Sequence, residues 1–137
     1  MRTVVVDANV LISFFLNRSE AQAAAGEELF QRARAAEVNA IVPQSVVFET
    51  AYVLQSFYGV DRERVAAVIR DVVTTPGIRI DDEWPWQRVL DIWPATLPSL
   101  ADASIVAVAM AKGYDAIATF DRKLSKKLAI FRIESYF

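Results

Sequence analysis

Four acidic residues stand where the sequence around them is apolar. They are Asp7 in VVVDANVLI, Glu49 in VVFETAYVL, Asp102 in LADASIVAVA and Asp121 in AIATFD. A buried carboxylate needs a partner, because an isolated buried charge is costly. Each has an ordinary role open to it. Asp7 and Asp121 can cap helices that begin just after them. Asp102, three residues after Ser99, fits a capping box with Asp in the place of Glu or Gln. Glu49 shares a helical stripe with Val46, Tyr52 and Val53, where an arginine would neutralise it. Jointly the four allow another chemistry. If they converge, their repulsion raises their pKa values unless a cation relieves it. Hard divalent ions such as Mg²⁺ or Mn²⁺ prefer oxygen ligands of this kind. Asn9 and Thr119 add neutral oxygens nearby.

The remaining composition narrows the choice. The chain has no histidine and no cysteine. That excludes imidazole acid–base catalysis, thiol chemistry, disulfides and zinc held by Cys or His. A net charge of −2 argues against a general basic coat for nucleic acid. Removing the four acids from that total leaves +2, however. Hydrophobic residues at 54% and charged residues at 23% indicate a globular chain. The 137 residues are expected to form one domain, 1–137. No apolar run reaches the ~18 residues of a membrane span, and Val4–Val6 is too short for a signal-peptide core. The expected location is the cytoplasm.

The elements that must position the acids follow from patterning. Thr3–Val6, Ala40–Val42, Ile78–Ile80, Asp115–Thr119 and Ala129–Ile133 read as short apolar strands. Helices are predicted over Val10–Leu16 and Glu20–Ala36. Ser45 is expected to cap a helix to Phe57, and Asp61 one to Val73. Asp82 or Glu83 opens another to Trp93, and Ser99–Lys112 ends at Gly113. A short helix runs from Asp121 through Lys126. This alternation implies an α/β fold, with a parallel sheet of four or five short strands flanked by helices on both faces. Ligands of such sheets bind beyond the carboxyl ends of the strands. Asp7 follows the first strand and Asp121 nearly follows the fourth, so both point to one rim. Phe14, Phe15, Phe48 and Phe57 read as core.

In this order and at these spacings, VVVDANVLI, VVFETAYVL, LADASIVAVA and AIATFD resemble the PIN domain, most closely VapC-type toxins of toxin–antitoxin pairs. The resemblance spans nearly the whole chain. It implies a PIN-like fold and a metal-dependent endoribonuclease. It implies Asp7, Glu49, Asp102 and Asp121 as catalytic acids and ligands of Mg²⁺ or Mn²⁺, with Asn9 and Thr119 as hydrogen-bonding support. Ala8 departs from the pattern, since many relatives carry Thr or Ser there. An RNA substrate (a tRNA or rRNA loop), a small antitoxin over the cleft and a homodimer are implied as well. Helices 44–58 and 61–74 would offer an apolar groove to the antitoxin or to a second copy.

Other features carry less. Arg122, Lys123, Lys126 and Lys127 follow Asp121 and can hold flanking phosphates, although a solvated helix face explains them equally. Trp84, Trp86 and Trp93 read as packing or dimer contacts in preference to base stacking. Two further classes stay in view. VVVDAN also resembles the opening of haloacid-dehalogenase-like phosphatases, but Asn9 stands where they have a second Asp. A catalytically silent PIN-fold binding module is the non-enzymatic alternative.

Overall fold

The computed structural model describes residues 1–137 as five parallel strands and seven α-helices. The chain begins β1 (Arg2–Val6), α1 (Ala8–Leu16), α2 (Glu20–Arg34) and β2 (Val38–Pro43). It continues α3 (Gln44–Ser56), α4 (Arg62–Thr74), β3 (Ile78–Asp81), α5 (Trp86–Ile92) and α6 (Leu100–Lys112). It ends β4 (Ala116–Ala118), α7 (Arg122–Lys127), a 3₁₀ turn (Leu128–Phe131) and β5 (Glu134–Ser135). The strand order is β3-β2-β1-β4-β5.

β1 lies centrally because Val4, Val5 and Val6 are fully buried and β-branched, suited to a strand covered on both faces. Val5 is in register with Ile41 of β2 and Ile117 of β4. The order reverses at β1: the chain builds outward to β3, then returns to β4 on the other side. Right-handed crossovers therefore put α1–α4 on one face and α5–α7 on the other. The reversal opens a crevice between the carboxyl ends of β1 and β4, where open α/β sheets bind ligands.

Local sequence fixes where several of the helices begin and end. Ser19, Asp61 and Ser99 cap α2, α4 and α6 through their side-chain oxygens. α6 buries every residue from Ala103 to Ala109, so it packs as a central helix rather than a surface one. Gly113 closes it in the left-handed region at φ 65°. Gly77 enters β3 at φ 86°, and a Cβ there would stand 2.1 Å from the Ala33 carbonyl oxygen. Only glycine lets that turn pass against α2.

Several local expectations are corrected. Residues 129–133 do not form the fifth strand. Leu128 and Ile133 are buried while Ile130 is 66% exposed, a spacing that fits a turn rather than strand alternation. Arg132 then reverses the backbone at φ 58°, and pairing starts only at Glu134. Ser45 does not cap α3: the helix starts two residues earlier, at Gln44 after Pro43, which supplies no side-chain bond. α5 starts at Trp86, not at Asp82 or Glu83, because Asp81 accepts the Glu83 N–H in a turn and Pro85 precedes the first helical turn. Phe48 and Phe57 are not core but 66% and 78% exposed. α3 turns Val46, Thr50 and Leu54 inward, which leaves Phe48 outside.

Candidate active site

Asp7 stands one residue beyond β1 and is the first residue of the crevice. Its Oδ1 accepts the Ala8 N–H at 2.7 Å, so it does anchor the start of α1. Its Oδ2 accepts the Thr119 hydroxyl at 2.7 Å and the Asn9 amide at 3.1 Å. The Thr119 Oγ1 in turn accepts N–H groups from Asn9 and Asp121 at 3.0 and 3.1 Å. Asn9 Oδ1 accepts the Phe120 N–H at 3.0 Å. These bonds tie the end of β1 to the end of β4 across the crevice. Burial pushes the Asp7 carboxyl up; the donors from Thr119, Ala8 and Asn9 oppose that, and the Asp121 charge adds to it.

Asp121 accepts Lys123 and Leu124 N–H groups at 2.9 and 3.2 Å, both on Oδ1. It caps α7 with one oxygen and keeps the other free. Asp102 occupies the first turn of α6. The capping there comes from Ser99, whose Oγ accepts the Asp102 N–H at 3.2 Å; the Asp102 carboxylate returns no bond. Glu49 sits on α3, half-buried, with no hydrogen bond and no arginine. The ion pairs of the molecule are Arg2–Glu134, Arg32–Glu37 and Lys112–Glu83, and none includes these four acids.

The four carboxylates act on one another. Burial raises the Glu49 pKa, and the charges of Asp7 and Asp102 raise it further. Asp102 is pushed up to about 6 by burial, then by Asp7 and Asp121, with Lys127 pulling the other way. As the side chains stand, no three acids gather closely enough to ligate one ion. The donor set still suits a hard divalent cation: carboxylate oxygens and no soft ligand, with Asn9 and Thr119 engaged as hydrogen-bonding support.

The basic helix divides in two. Arg122, Lys123 and Lys126 are exposed. Lys127 lies one turn after buried Leu124, is half-buried, and its charge reaches Asp102. Ser45 is a group whose place sequence patterning missed. Its Oγ is buried without a partner, one helical turn before Glu49. Trp84 and Trp93 pack against the core, and Trp93 donates to the Pro98 carbonyl at 3.0 Å; Trp86 is 56% exposed. A concavity of about 600 Å³ lies elsewhere, among Arg2, Arg88, Tyr114, Arg132 and Glu134, and touches none of the four acids.

An open parallel sheet whose strand order reverses at β1 defines a class of α/β proteins that bind ligands beyond the carboxyl ends of the strands. Residues 4–128 match the PIN domain, and the chain belongs to that family. PIN domains are generally nucleases, typically dependent on divalent metals, which puts this chain among hydrolases of nucleic acid. Among solved structures it is similar to PAE2754 from Pyrobaculum aerophilum, with a TM-score of 0.67 and 20% identity, over 92% of this chain and 86% of that one. That likeness bears on the fold. No curated protein matches the sequence. No helix is long and apolar enough to cross a membrane.

Proposed function

We propose that this chain is a metal-dependent endoribonuclease, the toxin of a VapC-type toxin–antitoxin pair, with Asp7, Glu49, Asp102 and Asp121 as its catalytic acids. One observation carries the reading: carboxylates from four separate elements repel one another with no ion-pair partner. They would hold Mg²⁺ or Mn²⁺, which when bound supplies Lewis-acid activation of water and neutralises phosphate charge. The chain's own groups do the positioning. Thr119 and Asn9 fix one oxygen of Asp7, and the Ala8 N–H fixes the other. Arg122, Lys123, Lys126 and Lys127 hold flanking phosphates.

Water adds at phosphorus, the P–O3′ bond breaks, and the proton ends on the leaving 3′ oxygen. The products carry 5′-phosphate and 3′-hydroxyl ends. Unpaired tRNA or rRNA loops suit the site, because their bases and backbone are displayed. Phe48, Tyr52 and Phe57 are 66%, 69% and 78% exposed on or just after α3, an apolar face suited to an antitoxin or to a second copy. The work would be done in the cytoplasm.

Cleavage of RNA in Mg²⁺ or Mn²⁺ tests the proposal. EDTA is expected to abolish it, and Asp7→Asn to slow it at least about 100-fold. Undiminished cleavage by Asp7→Asn or in EDTA, or products ending in cyclic phosphate, would refute the mechanism. Metal binding without cleavage of any RNA would favour a silent binding module.

A further inference from the structure

Phe120 and Phe137 stack at the rim that carries the acids, with ring centroids 4.5 Å apart and planes 17° from parallel. Phe120 lies between Thr119 and Asp121, its N–H held by Asn9. Phe137 comes from the far end of the sequence. Ile117 is in register with Ser135, two residues before Phe137. The Tyr136 N–H continues the ladder to the Ile117 carbonyl at 3.0 Å. The ring of Tyr136 meets Phe137 edge to face at 5.4 Å, and Arg2 and Arg32 stand over it at 5.7 and 5.9 Å. The stack is thus held from one side and open on another: Phe137 is 43% exposed and Phe120 half-buried.

Its surroundings select the occupant. From β1 to β5 is two interstrand spacings, about 10 Å, a distance that a nucleotide beside a phosphate at Asp7 can span. α7 begins directly after Phe120 and Asp121, and its cations Arg122, Lys123 and Lys126 are exposed and free of ion pairs. Aromatic rings beside a cationic track are the means by which proteins hold single-stranded nucleic acid: bases stack, phosphates pair. We infer that the Phe120–Phe137 stack is a nucleobase platform, which takes an unpaired base of the RNA strand next to the phosphate bound among the acids. This rests on the ribonuclease reading above.

The experiment uses the full chain with Asp7→Asn, to hold substrate uncut, and short single-stranded RNA carrying 2-aminopurine at successive positions. Binding is expected to quench the fluorescence most at one position. Adding Phe137→Ala should relieve that quenching and weaken binding about 5- to 100-fold, the usual worth of one stacked base. Phe137→Trp should keep both. An abasic residue at that position of the RNA should erase the difference in affinity that Phe137→Ala makes, which a purely structural role would not do. In the active protein, Phe137→Ala should raise KM for RNA and leave Mn²⁺ affinity unchanged. RNA binding with unaltered affinity and quenching in Phe137→Ala overturns the platform and leaves the nuclease standing. Absence of RNA binding and cleavage in every protein overturns both.

Discussion

At the level of one residue, the Asp102 carboxylate works against stability. Its carboxylate returns no bond to the helix that carries it, while burial and two neighbouring acids hold its pKa at about 6, against an ordinary 3.8. Between those values the folded protein binds the extra proton, so without metal stability falls as pH rises from about 4 to 6 and stays lower above. Glu49 and Asp7 shift in the same direction and reinforce the trend. The metal-free protein is therefore expected to melt higher at pH 5 than at pH 7.5. Asp102→Asn should raise Tm at pH 7.5 by a few degrees, about 2–4 °C for each kcal/mol relieved in a chain of this size. Cation binding has the opposite sign, since the ion competes with protons. Mn²⁺ affinity should drop roughly ten-fold from pH 7 to pH 5, measured by calorimetry. A metal-free Tm that falls on acidification to pH 5, or a pH-independent affinity, would count against the coupling of these acids.

At the scale of elements, the glycines separate two kinds of constraint. Gly77 and Gly113 both have positive φ, but only at Gly77 would a Cβ meet backbone, 2.1 Å from the Ala33 carbonyl oxygen. Gly113→Ala meets nothing within 4 Å and should cost about 1 kcal/mol of backbone strain. Gly77→Ala must displace β3 from α2 and should cost about 3 kcal/mol or more. Denaturant titration of both variants checks the ranking; equal losses would contradict it. The same elements show what the sequence made legible. Val4–Val6, Ala40–Val42 and Ala116–Ala118 were readable as buried parallel strands because each is a continuous apolar run ended by a polar or turn-forming residue. Asp7 and Asp121 were readable as rim residues for the same reason. β5 was not, because it is two residues long and polar, and the apolar run before it folds as a turn. With β5 misplaced, nothing pointed to Phe137 beside Phe120. α3 was readable as a helix but not in orientation: it is apolar on nearly every side, so periodicity could not tell buried Leu54 from exposed Phe48.

For the whole molecule, the small net charge of −2 conceals a division. Four acids are linked by mutual repulsion around the switch point, and the basic residues of α7 begin one residue after Asp121. Phosphate contact is therefore expected to be local to the rim rather than spread over the surface. That has a measurable consequence. For single strands, each phosphate neutralised contributes roughly 0.7 to the slope of log K against log salt concentration. Lys126→Ala with Lys127→Ala should flatten the slope by about 1.4 if both lysines hold phosphates. Replacing Arg62 and Arg64 at the exposed start of α4 with alanine should leave the slope unchanged, although it removes the same formal charge. Equal flattening by both pairs would mean that net charge alone draws RNA to this protein, and the cations of α7 would then be a solvated helix face. Unequal flattening assigns the backbone track to the helix that Asp121 caps. The residue that caps that helix is also one of the four acids, so in that outcome strand binding and the proposed acidic centre would share a single structural joint.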